Sequence, residues 1–80
     1  MVLVVEDDDG VSRLERFVLQ RAGYRVACAG SGEEALAPLP QTSPSLVILD
    51  VMLSEMDGFS TCQKIRETSR IPIIMVTARD

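Results

Sequence analysis

Three short apolar runs, each closed by a polar residue, constrain this chain most. Val2–Val5 runs into Glu6-Asp7-Asp8, Leu46–Leu49 into Asp50, and Ile71–Val76 (broken only by Pro72) into Thr77. Runs this short and continuously apolar suit strands buried on both faces, as in a parallel sheet. Tyr24–Ala29 is weaker: Tyr24, Val26 and Cys28 alternate with Arg25 and Ala27, which suits a strand nearer an edge. Helical patterns fill the gaps. Val11, Leu14, Val18 and Ala22, with Phe17 beside them, share one face of a first helix. Asp8 or Asp9 can cap its start, and Gly23 stands where a helix end favours positive φ. Ser31-Gly-Glu-Glu34 reads as a capping box opening a second helix with Ala35, Leu36 and Leu39. Asp57 can cap a third, with Phe59, Cys62 and Ile65 inward. Pro38, Pro40 and Pro44 mark a loop, and Pro38 is expected to end or kink the second helix at Ala37. The resulting β-α-β-α-β-α-β string implies parallel strands joined by right-handed crossovers in an α/β layered fold.

Composition narrows the function. The 80 residues form one small domain, 46% hydrophobic but only 4% aromatic, so the core is aliphatic. A net charge of −4 disfavours a phosphate-backbone platform. No apolar run approaches a membrane span, and the acid at Glu6 interrupts any signal-peptide pattern. The absence of histidine excludes the common zinc sites, a Ser-His-Asp triad and a Cys-His pair. Cys28 and Cys62 form no metal-like pair and are expected to be small core residues in a reduced, cytoplasmic protein.

Ligands of an open parallel sheet bind beyond the carboxyl ends of its strands. If the first, third and fourth strands are neighbours, Glu6-Asp7-Asp8, Asp50 and Thr77 converge on one mouth. Carboxylates brought together repel, and a divalent cation removes that penalty. Oxygen ligands without His or Cys point to Mg²⁺. A carboxylate beside Mg²⁺ can attack phosphorus to give an aspartyl-phosphate, and a hydroxyl such as that of Thr77 can hydrogen-bond a phosphoryl oxygen. Each piece also has a plainer reading: a solvated acidic loop capping the first helix, a turn aspartate at Asp50, a strand-end threonine. Only their conjunction favours chemistry.

The segments Val2-Leu-Val-Val-Glu-Asp-Asp8, Gly23-Tyr-Arg-Val26, Gly32-Glu-Glu-Ala-Leu36, Leu46-Val-Ile-Leu-Asp-Val-Met-Leu53, Met56-Asp-Gly58 and Ile71-Pro-Ile-Ile-Met-Val-Thr-Ala-Arg79 together resemble the receiver domain of bacterial two-component response regulators. The last segment is most similar to receivers of transcription factors with a winged-helix output. The resemblance implies a flavodoxin-like doubly wound parallel sheet in the order 2-1-3-4, with residues 1–80 a partial receiver that stops short of the fifth strand and last two helices. It implies Asp50 as phosphoacceptor for a sensor histidine kinase. Glu6, Asp7 and Asp50, with the Met52 backbone carbonyl, are implied as the Mg²⁺ site. Thr77 is implied as switch hydroxyl and phosphate contact, Ala78 as the small residue leaving room for phosphate, and Met52 and Arg79 as positions that tune phosphate lifetime. DNA would be reached only through an output domain outside these residues.

Two departures stand out. Ser54 replaces the family's usual proline before the Met-Asp-Gly turn. The only lysine, Lys64, lies about 200° round the helix from Cys62 and cannot replace the family's fifth-strand lysine. An alternative reading takes Asp7-Asp-Asp-Gly-Val11 as the loop of a haloacid-dehalogenase-type phosphatase, with Asp7 as nucleophile and Asp9 as general acid/base. A third is a non-signalling interaction fragment. With the fourth strand at an edge, self-association through that edge is expected.

Overall fold

A computed structural model describes residues 1–36, 43–53 and 57–76. Among these residues, seven elements follow the expected alternation: β1 (Val2–Val5), α1 (Asp9–Arg21), β2 (Val26–Ala29), α2 (Gly32–Leu36), β3 (Leu46–Asp50), α3 (Gly58–Thr68) and β4 (Ile73–Val76). All strand pairs are parallel and the sheet order is β2-β1-β3-β4. The weakest run is therefore an edge strand and the most apolar run is central, as the patterning implied.

Strand limits follow from hydrogen-bond supply. β4 begins after Pro72, which has no N–H to give; its carbonyl instead accepts from Val47 N at 3.0 Å. β2 begins later than Tyr24 because the end of α1 takes that amide. Tyr24 N donates to Leu19 O at 3.1 Å and Gly23 N to Gln20 O at 3.0 Å, with Gly23 at φ 97°. This is a Schellman ending, and it needs glycine at the left-handed position. The expected caps are in place: Asp8 accepts from Val11 N at 3.0 Å and Asp57 from Ser60 N at 2.8 Å. Ser31 Oγ accepts from Glu34 N at 3.1 Å, while the Glu34 carboxylate accepts from Gly30 N at 3.1 Å, one residue before the amide a capping box would use. The expected break at Pro38 lies outside the described residues.

The two sheet faces are unequal. Leu3, Val5, Ala29, Val47 and Leu49 pack with Ala35, Leu53, Ile65 and Ile71 into one sealed cluster on the α2–α3 side. Strand alternation puts Val2, Val4, Ile48 and Ile74 on the opposite face, where α1 packs over β1 and β2. Val4 there is fully buried, whereas Ile74 is 50% exposed. The inward stripe of α1 differs from the expected one. Val11, Ser12, Glu15 and Leu19 are half-buried, while Leu14, Phe17 and Val18 are exposed. The helix carries two apolar stripes, and the one interrupted by Glu15 meets the sheet. Phe59 is likewise exposed; Thr61 and Ile65 take the inward side of α3, with the Thr61 hydroxyl satisfied by Asp57 O at 2.9 Å. Cys28 is exposed and Cys62 half-buried, so Cys28 is not the core residue expected. It stands on the edge strand, on the face that α1 covers.

Gly58 holds the start of α3 against the end of β3. A Cβ there would lie 2.5 Å from Asp50 O and 2.7 Å from Val51 Cα. Gly58→Ala is expected to cost about 1–3 kcal/mol by overpacking. Gly23→Ala, with nothing within 4 Å of its Cβ, carries only the left-handed backbone penalty of about 1–2 kcal/mol. Urea unfolding measures both, and a Gly58→Ala chain as stable as the native one would show that the helix does not need this close approach.

Candidate functional site

The acids of β1 and β3 meet because of register. Val5 pairs with Leu49, so Glu6 and Asp50 leave adjacent parallel strands at the same level. The flanking amides hold them there: Glu6 N donates to Ala29 O at 3.0 Å and Val51 N to Val76 O at 2.8 Å. Glu6, Asp7 and Asp50 each place a carboxylate oxygen within 4.8 Å of the other two. Glu6 is 3% and Asp50 1% exposed, and Asp7 is half-buried. Asp8, the third acid of the run, turns away to cap α1.

The two oxygens of Asp50 are inequivalent. Oδ1 accepts from Met52 N at 3.1 Å. Oδ2 is buried and has no hydrogen-bond partner among the described residues. A buried carboxylate oxygen without a donor is costly unless a cation or a bonded group completes it. With two more carboxylates alongside and only oxygen donors, the set fits a hard divalent ion such as Mg²⁺. Met52, whose carbonyl is the expected metal ligand, also donates its N–H to Asp50, and its side chain is exposed. Thr77, Ala78 and Arg79 lie outside the described residues. Lys64 is exposed on α3, as its helical position implied.

Burial pushes the Glu6 carboxyl up to about 7; the Asp8 N–H, at 3.1 Å from Oε2, opposes this, and the Asp50 and Asp7 carboxyls add to it. Glu15 was not foreseen as part of this field. Its carboxyl is raised first by burial and then by the charge of Asp50. The spacing Val11–Glu15–Leu19 on one helical stripe was the available signal. Asp57, by contrast, is held below the usual carboxylate range by the Ser60 amide it caps. The phosphatase reading finds no support in this geometry, because its acid/base residue, Asp9, is exposed in the first turn of α1 and is not one of the gathered carboxylates.

The folded pKa of Glu6 lies above its ordinary value, so its protonated form favours the native state. That contribution is fully present below pH 4.5 and disappears as pH rises through about 7. In chelator, the native chain is therefore expected to lose stability relative to Glu6→Gln as pH rises across this window. Urea unfolding of both chains at several pH values measures it, and parallel stability profiles would contradict the shift.

Comparison with known proteins agrees with this fold. The family model for the response regulator receiver domain matches residues 2–80. The transcriptional regulatory protein AfsQ1 of Streptomyces coelicolor is 47% identical over 79 residues, covering 99% of this chain and 35% of that protein. The alkaline phosphatase synthesis transcriptional regulatory protein PhoP of Bacillus subtilis is 41% identical over 80 residues, covering 99% of this chain and 33% of that one. The chain thus spans about a third of the length of these curated relatives. The crystal structure of the N-terminal domain of a response regulator receiver protein from Methanoculleus marisnigri superposes with a TM-score of 0.91 at 41% identity, covering 98% of this chain and 66% of that one. Parallel strands in the order 2-1-3-4, acids gathered where β1 and β3 end, and a match along nearly the whole length lead to one assignment: this chain belongs to the response regulator receiver domain family.

Proposed function

We propose that residues 1–80 form a partial receiver domain in which Asp50 accepts a phosphoryl group from the phosphohistidine of a sensor kinase. The observation that carries this reading is the buried Asp50 carboxylate, with Oδ2 unpartnered among the described residues and Glu6 and Asp7 beside it. In the transfer, an Asp50 carboxylate oxygen bonds to phosphorus, the phosphorus–nitrogen bond breaks, and the imidazole takes up a proton. The Met52 N–H orients Asp50 through Oδ1, and the β1–β3 pairing fixes its position. Glu6, Asp7 and Asp50, with the Met52 carbonyl, are the assigned holders of Mg²⁺, which supplies charge neutralisation for an anionic phosphoryl group approaching three carboxylates. Burial of Glu6 favours its protonated form, so metal affinity on this reading rises with pH as that proton leaves.

The finer assignments rest on sequence position. Val76 pairs with Asp50, and the next residues, Thr77 and Ala78, are assigned as switch hydroxyl and small phosphate neighbour. Met52 and Arg79 are assigned to phosphate lifetime. The signal would pass to a DNA-binding output in the cytoplasm, in keeping with relatives named as transcriptional regulators. No helix among the described residues is long and apolar enough to cross a membrane. Among the described residues β4 pairs only with β3 and Ile74 is half exposed, and this edge is the assigned place for a second copy to add. Sedimentation over a concentration series tests that assignment; a monomer at every concentration would overturn it.

Incubation with acetyl phosphate and Mg²⁺ is expected to give a phospho-form that hydroxylamine removes and that Asp50→Asn abolishes. Labelling that survives this substitution would overturn the assignment. Asp7→Asn is expected to weaken Mg²⁺ binding at least about tenfold in isothermal titration. Unchanged affinity would reduce the acidic cluster to a capped loop.

A further inference from the structure

A second pocket lies on the α1 face of the sheet, at the edge farthest from β4. It measures about 280 Å³ and is lined by Asp9, Ser12, Arg13, Arg16 and Cys28. Its placement follows from two periodicities. Arg13 and Arg16 are one turn apart on α1, so their guanidinium groups reach the same side. On β2, Ala29 joins the cluster sealed by α2 and α3, so strand alternation turns Cys28 to the opposite face, toward α1. Because β2 is an edge strand, no further strand covers the thiol among the described residues, and Cys28 is exposed.

The charge in this pocket is unbalanced. Among the described residues neither guanidinium has a hydrogen bond or an ion pair. Two guanidiniums thus face one carboxylate, on a protein whose net charge is −4. Planar guanidinium forks match carboxylate geometry and present several donors, and the Ser12 hydroxyl adds another hydrogen-bonding group. A small carboxylate-bearing molecule is the ligand class these groups recognise, and the most reactive nucleophile lining the pocket is the Cys28 thiol.

We propose that this pocket is a binding and modification site for small anionic disulfides, with Arg13 and Arg16 binding the carboxylate and Cys28 exchanging with the disulfide. In the exchange, Cys28 gives its proton to water and its sulfur attacks one sulfur of the bound disulfide. A new sulfur–sulfur bond forms, the old one breaks, and the other half leaves as a thiolate. The disulfide is the oxidant, so no other co-reactant is needed. The site is separate from the acidic cluster and shares no residue with it.

Two probes distinguish guided binding from simple thiol exposure: dithiobis(nitrobenzoate), an anionic disulfide, and dithiodipyridine, a neutral one. Both release coloured thiols. The background is the native chain carrying Cys62→Ser, so that only Cys28 reacts. The double change Arg13→Gln, Arg16→Gln is expected to slow the anionic probe about tenfold and to alter the neutral probe less than about twofold. Added salt should slow the anionic probe in the parent and have little effect in the double variant. Inorganic phosphate should protect the parent from the anionic probe. A Ser12→Ala chain, which keeps both charges, should retain most of the selectivity and shows whether a pocket change alone disturbs it. Equal slowing of both probes, or no slowing of either, would overturn the proposal. So would a rate for the anionic probe that does not depend on salt in the parent.

Discussion

Carboxylate repulsion across the β1–β3 pairing is the constraint around which the rest of the molecule is arranged. Parallel register brings Glu6 and Asp50 out of the sheet side by side, and Asp7 joins them. Two full charges about 4 Å apart repel by roughly 4 kcal/mol at an effective dielectric of 20. The fold accepts this repulsion because the strands bearing the acids are the most deeply buried in it. Val2, Leu3, Val4 and Val5 are all 3% exposed or less, and Leu49 is fully buried beside Asp50. Hydrophobic burial of β1 and β3 drives together groups that would separate if free. Any group that completes the carboxylates would meet a site whose geometry is already set, and the ordering cost falls on the core rather than on binding.

The surrounding elements reinforce that geometry from three sides. Asp8 leaves the acidic run to start α1, so the loop is fixed one residue past the site. Gly58 lets the first turn of α3 press on the Asp50 carbonyl, and its N–H donates to Val51 O at 3.1 Å. Pairing of Val76 with Asp50 brings β4 alongside. The functional end of the sheet is therefore braced by a helix start, a tight helix approach and a third strand.

Much of this could be read from the residues. Continuous apolar runs ended by acids marked buried parallel strands, and the weaker Tyr24–Ala29 run marked an edge. Caps at Asp8, Ser31 and Asp57 and the glycine ending at Gly23 were visible because local hydrogen bonding decides them. Helix facing was harder. α1 has a richer apolar stripe through Leu14, Phe17 and Val18, yet the sheet takes the stripe through Val11, Glu15 and Leu19. Periodicity identifies stripes; which one is buried depends on how the helix lies across β1 and β2, and that is a tertiary matter. The same limit applies to Cys28, whose small apolar side chain suggested a core position that an edge strand does not supply. At the site, strand ends pointed to the gathering of Glu6-Asp7-Asp8 with Asp50, and the resemblance singled out Glu6 and Asp7, but the use of the Met52 N–H on Asp50 depends on the turn after β3.

The unequal cover of the sheet has a consequence for how the molecule opens. Among the described residues β1 has a partner on both sides and β3 is flanked by β1 and β4, while β2 and β4 each pair on one side. Brief local openings start where the fewest contacts must be broken, at Tyr24–Ala29 and along the half-exposed face of β4. Amide protons of β1 and β3 then exchange only through openings close to global unfolding. The strand that ends in Asp50 is thus among the last to open, whereas the edge bearing Cys28 opens early, so the slowest-breathing part of the sheet is the part that holds the acids.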